Sequence, residues 1–211
     1  MAISACNRLE GEIIDLKKGK ATTNVRVETG LGEITLVITS SAVETLQLAM
    51  GDRVSAMFRE IDVMLMTGDG MVSTRNRFPA RITDIKKGGV TAEIRLQMGD
   101  DRHFIAVIAR TAAEELDLDV GSTVTACVRE GDILIEKANA FNVRNRVSAT
   151  VTNLRPGTVT TELTLETEHG DLFALLAGSA ADDMKLAVGA KVTALVRERD
   201  VLVEVQGRAA G

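Results

Sequence analysis

The sequence predicts an all-β protein: three tandem five-stranded barrels, each with one short helix. Three observations carry this reading. Ordered anchors recur about every 69 residues along the 211-residue chain. Between anchors, apolar and polar residues alternate over short runs, the pattern of half-buried strands. Regular Gly- and Lys-containing turns separate those runs, as in small barrels and Greek keys.

The repeat comes first, because missing one misreads the whole architecture. Asn7-Arg8 recurs as Asn76-Arg77 and Asn145-Arg146, 69 residues apart each time. The turn Lys17-Lys18-Gly19 returns as Lys86-Lys87-Gly88 and, more loosely, as Arg155-Pro156-Gly157. Thr22, Thr91 and Thr160 follow at one offset. Gly51-Asp52-Arg53-Val54-Ser55-Ala56 matches Gly121 to Ala126 and Gly189 to Ala194, and each copy then reaches Arg-Glu-x-Asp at Arg59, Arg129 and Arg197. The modules span 1–67, 71–137 and 140–206. The turn-rich Thr67-Gly68-Asp69-Gly70 joins the first pair and Ala138-Asn139-Ala140 the second.

In the first module, Leu9 to Leu16 reads as a strand ended by the Lys-Lys-Gly turn. Thr22 to Glu28 alternates, with Val25 and Val27 on one face and Asn24, Arg26 and Glu28 on the other. Thr29-Gly30-Leu31-Gly32 is a hairpin turn, and Glu33 to Ile38 a third strand. Ser41 to Leu48 carries apolar residues behind a run of serines and reads as a short helix with a Ser cap. Arg53 to Phe58 and Val63 to Met66 are strands four and five. Five strands and a helix fit an OB-like barrel. At under seventy residues its core is marginal alone, so it should lean on neighbouring modules and on a partner chain.

Composition narrows the function. The chain is 45% hydrophobic and 26% charged, with five Phe and neither Trp nor Tyr, so its core is aliphatic. A net charge of −5 argues against nucleic acid and acidic membrane surfaces, which reward a basic protein. An OB-type nucleic-acid platform would also need aromatics for base stacking. Cys6 and Cys127 form no CxxC, the start lacks a basic and long apolar leader, and no run is long enough to span a bilayer. These features set the expectation of a reduced cytoplasmic protein. His103 and His169 sit beside turns. No triad, P-loop or metal cluster is present, so no enzyme is expected.

The opening segments are Ser4-Ala5-Cys6-Asn7-Arg8-Leu9, Ser73-Thr74-Arg75-Asn76-Arg77-Phe78 and Asn142-Val143-Arg144-Asn145-Arg146-Val147. With the basic-Gly turn, the hydroxyl-rich helix start and the Gly-x-x-Val-Thr-Ala strand, they resemble the Mop (TOBE-type) molybdate-binding domain family. The resemblance covers nearly the whole chain, three times. It implies a storage or homeostasis protein that binds molybdate or tungstate between modules, with no organic cofactor and no metal ion. A tetrahedral dianion offers only acceptors, so its site must be built from donors.

Carried over by position, the resemblance points to Ser4, Asn7, Thr39 and Arg59 in the first module. It points to Ser73, Arg75, Asn76 and Arg129 in the second, and to Arg144, Asn145 and Arg197 in the third. The transfer is uneven. Cys6 and Asn142 depart from the opening motif, and Ala109 and Ala177 replace the hydroxyl of Thr39. Glu60, Glu130 and Glu198 would repel an anion and are expected to face solvent or pair with an Arg. The Asn-Arg pairs could equally close strand ends, and the degraded donors leave open a structural or regulatory assembly module without anion affinity. The resemblance also implies a closed set of six modules. That means a homodimer, with the three modules of each chain in a pseudo-three-fold ring and aliphatic contacts near Met64, Leu134 and Leu202.

Overall fold

A computed structural model describes residues 3–5, 7–68, 70–99, 102–138 and 140–201. Cys6 and Leu202 lie outside the described residues. The first module comprises β1 (Asn7–Lys18), β2 (Thr22–Thr29), β3 (Gly32–Thr39), α1 (Ser40–Thr45), β4 (Arg53–Phe58) and β5 (Val63–Met66). The second comprises β6 (Asn76–Lys87), β7 (Thr91–Met98), β8 (Arg102–Ala109), α2 (Arg110–Glu115), β9 (Thr123–Val128) and β10 (Leu134–Lys137). A two-residue strand, β11 (Ala140–Phe141), leads to the third. That module comprises β12 (Asn145–Pro156), β13 (Thr160–Thr167), β14 (Gly170–Ala177), α3 (Gly178–Asp183) and β15 (Lys191–Val196). The three repeats are thus visible as elements, and the architecture is all-β and OB-like.

The long first strand of each module does two jobs. Its start pairs with the fourth strand and its end with the second, and the register shifts between Ile13 and Asp15, Ile82 and Asp84, and Val151 and Asn153. Such a bulge bends and twists the strand and lets one sheet curl into a barrel. The helix cap differs from expectation. Thr39, rather than a serine, accepts the Ala42 N–H at the start of α1. Ala109 and Ala177 offer α2 and α3 no such bond. Each helix is closed by a residue in the left-handed region, at Gln47, Asp117 and Lys185.

Modules 1 and 2 exchange their closing strands. β5 pairs antiparallel with β9 of module 2, with Met64 opposite Cys127 and Leu65 opposite Ala126. Reciprocally, β10 pairs with β4 of module 1, with Leu134 opposite Met57 and Ile135 opposite Ala56. The two interiors are therefore one core. Leu9, Val25, Leu36, Phe78, Leu96, Phe104 and Ile135 all belong to a single buried cluster. Phe58 of β4 meets Phe104 of β8 edge-on at 4.9 Å between ring centroids, an arrangement worth about 0.5–1.5 kcal/mol beyond burial.

Two asparagines staple the exchange. The amide of Asn7 donates to the Ile105 carbonyl at 2.8 Å and accepts the Ile105 N–H at 2.7 Å. Asn76 does the same to Thr35, at 2.8 and 2.7 Å. Ile105 and Thr35 occupy equivalent positions on β8 and β3, so the two modules are related by a pseudo-two-fold axis. The arginine after Asn7 anchors the incoming strand. Arg8 donates to Glu10 and Ser55 and stands 3.0 Å from the buried Glu136 carboxylate of β10, an ion pair rather than a directed hydrogen bond. At the far end of β10, Lys137 donates to Asp52 at 2.6 Å and to the Gln47 carbonyl at 2.7 Å.

Module 3 exchanges with neither neighbour among the described residues, and β15 pairs only with β12. Its core is a separate cluster around Val151, Leu163 and Leu165. It docks on the pair through Val159, Ala177 and Ala180 against Val107 of β8. This corrects the expected pseudo-three-fold ring, which would give every module the same neighbours. Of the contacts expected near module ends, Leu134 is buried in the exchange and Met64 is 41% exposed. Cys127 is buried, and burial pushes its thiol above the usual range.

Two outcomes follow from the exchange. Asn76→Ala strands the buried main-chain N–H and C=O of Thr35, so urea unfolding should show a loss of about 2–4 kcal/mol. Modules 1 and 2 should still unfold in one transition, and separate melting would contradict the shared core. The second concerns pH. The Lys137 ammonium, helped by the Ala49 N–H, holds Asp52 below the usual carboxylate range. Its contribution is therefore complete above the unfolded value of about 3.9 and is lost as pH falls through the lower folded value. Lys137→Met should be less stable than the parent at neutral pH, with the gap closing in acid melts.

Candidate functional site

The closing motif forms a short 3-10 turn in each module: Glu60–Asp62, Glu130–Asp132 and Glu198–Asp200. The arginine ahead of each turn folds onto the aspartate at its end. Arg59 makes a bidentate pair with Asp62 at 2.9 and 2.9 Å. Arg129 reaches Asp132 at 2.6 Å and Arg197 reaches Asp200 at 2.5 Å. The three turns converge. Arg197 also lies 3.4 Å from Asp62 and 3.3 Å from Asp132, and Arg199 lies 3.0 Å from Asp132. Burial lowers the affinity of the Arg59 guanidinium for its proton, but Asp62 and the other two aspartates outweigh this and raise it. The side-chain bond to Asp132 is the main cause of the rise at Arg129. Each candidate arginine of the closing motif thus already has a carboxylate.

Glu130 and Glu198, beside two of these arginines, are half-buried, and their described bonds go to main chain rather than to a guanidinium. Glu130 accepts the main-chain N–H of Arg75 at 2.8 Å and Glu198 that of Arg144 at 3.2 Å. Glu60 is buried and is not without a partner. Each of the two described bonds ties the closing turn to the opening segment of its own module.

The opening segments divide sharply. Asn7 and Asn76 are buried with both ends of the amide engaged by the neighbouring main chain. Ser73 and Arg75 are exposed, as are Arg144 and Asn145. Ser4 and Arg59, with Asp132 and Leu134 of module 2, border a groove of about 710 Å³ that opens between module 3 and the first two modules and into the third barrel.

One inter-module cluster brings a guanidinium of module 3 together with hydroxyls of module 1. The Arg144 guanidinium of module 3 donates to the Ser41 hydroxyl at the start of α1, at 2.8 Å. Ser41 in turn lies 3.4 Å from the Thr39 hydroxyl. Ser40, next in the run, points to Thr23 and the Gly19 carbonyl, both at 3.0 Å. The first turn of α1 carries no acidic residue. The helix start of module 3 differs, because the Ser179 hydroxyl donates to the Glu93 carboxylate of module 2 at 3.1 Å.

Sequence reasoning missed Ser41, although it belongs to the Ser run at the predicted helix. It also missed Asn142, whose N–H and amide oxygen bond the carbonyl and N–H of Ile135. That residue extends the β10 edge into module 3. The Lys17-Lys18 and Lys86-Lys87 turns are exposed.

Residues 3–65, 72–134 and 142–203 each match the TOBE domain. The chain is 27% identical over 167 residues to the molybdenum transport protein ModE of Azotobacter vinelandii, covering 78% of this chain and 60% of that protein. It is 28% identical over 135 residues to the molybdenum-pterin-binding protein MopB of Rhodobacter capsulatus, covering 62% and 50%. It therefore spans 60% and 50% of the lengths of these two relatives. A shorter relative, molybdenum-pterin-binding protein 2 of Clostridium pasteurianum, is 39% identical over 64 residues, 30% of this chain and 94% of that one. Among solved structures, the cytoplasmic molybdate-binding protein ModG, in a form with molybdate bound, superposes with a TM-score of 0.62 at 28% identity, covering 65% of this chain and 99% of that chain.

Proposed function

Because the chain belongs to the TOBE domain family over all three of its repeats, we propose that it binds a tetrahedral oxyanion, molybdate or tungstate, at interfaces between modules. Its role on this reading is cytoplasmic storage or homeostasis, without catalysis. The working assembly is a homodimer of six modules, and no nucleic acid or membrane takes part. The carrying observation is the bond from Arg144 of module 3 to Ser41 of module 1, with the Thr39 hydroxyl beside it. These groups come from two modules and present a guanidinium and two hydroxyls. An oxyanion entering between them would replace the Arg144–Ser41 bond with bonds to its own oxygens. The names and bound ligand of the relatives support the choice of anion.

A second reading draws on a different observation. Arg59, Arg129 and Arg197 are held by aspartates, and Asn7 and Asn76 by main chain. These residues favour an assembly module without anion affinity. Calorimetric titration with molybdate, tungstate, sulfate and phosphate separates the two. Saturable heat with molybdate or tungstate and fewer than three tight sites per chain are expected, because the three helix starts are unequal. Arg144→Ala should weaken binding about ten- to a hundred-fold, the value of one charge-assisted hydrogen bond. No heat at millimolar anion would leave only the assembly reading.

A further inference from the structure

We infer that the third closing turn, Arg197-Glu198-Arg199, positions the proposed oxyanion site. Its two arginines lock module 3 onto Asp62 and Asp132, and its glutamate holds the main chain of Arg144 where the guanidinium meets Ser41. This rests on the oxyanion reading above and names the residues that assemble that site without touching the anion.

The three residues of the turn act in series. The Arg197 side chain is 12% exposed and lies between the other two modules, 3.4 Å from Asp62 and 3.3 Å from Asp132. It also donates to the Asp132 carbonyl at 3.3 Å. Arg199 adds a second ion pair to Asp132 at 3.0 Å. Between the two arginines, Glu198 accepts the main-chain N–H of Arg144 at 3.2 Å. The Arg144 guanidinium then donates to Ser41 at 2.8 Å. Asp62 and Asp132 are buried, at 7% and 1% exposure, so the turn grips fixed points. Arg144 is exposed, and a long exposed side chain gives up rotamer freedom when it binds. Its reach to module 1 depends on where its main chain is held.

Module 2 offers a comparison within the chain. Glu130 holds the Arg75 N–H at 2.8 Å in the same way, but Arg129 pairs with the aspartate of its own turn. In module 3 the turn that grips other modules and the opening arginine that reaches one of them occur together.

The docking is keyed by the residue before each aspartate, which is Ile61, Gly131 and Arg199 in turn. Gly131 is not in the left-handed region, and its two counterparts make the same turn with side chains. The backbone therefore does not demand glycine there. A Cβ on Gly131 would run into the Arg199 guanidinium, so the missing side chain is the space that Arg199 occupies beside Asp132.

Calorimetric titration of the full chain with molybdate tests the role. Asp132→Asn removes a negative charge, which by Coulomb's law alone favours a dianion. Positioning requires the opposite, binding at least about threefold weaker. Gly131→Ile keeps the charge, copies the module 1 turn and displaces Arg199, and should weaken binding in the same way. Neither change should cost more in an Arg144→Ala background, because both act through Arg144. Amide hydrogen exchange at Arg144 should quicken in both variants while Leu163 and Leu165 in the module 3 core stay protected, which separates a displaced turn from an unfolded module. Binding that is unchanged or tighter in both variants, or losses that add to that of Arg144→Ala, would overturn the positioning role and leave the oxyanion reading standing. No heat with the parent chain would overturn both.

Discussion

A module of this size that surrenders its own closing strand cannot seal its interior. Burial scales poorly for barrels of under seventy residues even when complete. Removing one of five strands exposes a row of unpaired main-chain groups along the fourth strand and opens the core beneath. The exchange of β5 and β10 answers both problems at once. It pairs the edges of β4 and β9, and it fuses two marginal cores into the single cluster around Phe58, Phe78 and Phe104. Asn7, Asn76, Arg8 and Lys137 all act on this exchange: two hold the facing strands, and two hold the ends of the incoming one.

The turn that directs the exchange also arranges the charges. Each Arg-Glu-x-Asp sequence bends so that Arg and Asp close on each other, while Glu130 and Glu198 reach back to the opening segments. Because β5 and β10 cross, the first two turns come close together, and Arg197 of the third inserts between Asp62 and Asp132. Half-buried guanidinium groups need such partners, since an unpaired charge there would lack both water and counter-charge. The same residues are therefore poor donors for an incoming anion. The open donors lie instead where module 3 meets module 1.

Much of the fold was legible because strand and turn signals are local. The alternation at Thr22–Glu28 and the glycine turns at Gly51, Gly121 and Gly189 locate their elements within a residue or two. The exchange was not legible. A strand with alternating apolar residues fits its own barrel's edge or a neighbour's equally well, and only the turn before it decides. For the site, the residue types were right in kind but not in assignment. Asn7 and Asn76 were legible as special because they recur, yet an amide can match an anion or a strand's N–H and C=O with the same two groups. The Arg59–Asp62 spacing of three across a tight bend was a sign of an internal ion pair.

The unequal copies make sense across interfaces rather than within modules. Module 1 has Cys6 where the opening motif of module 3 has Arg144, yet module 1 keeps the Thr39 and Ser41 hydroxyls. Module 3 keeps the arginine and lacks the cap hydroxyl, having Ala177 in its place. Neither module alone carries a full donor set, but the guanidinium of one and the hydroxyls of the other meet at 2.8 Å. At the start of α3 the corresponding hydroxyl, Ser179, is held by the Glu93 carboxylate, an acceptor with which any oxyanion must compete. Substitutions that look like decay when each repeat is read by itself therefore make the interfaces unequal: one pairs a guanidinium with a hydroxyl, the other a hydroxyl with a carboxylate.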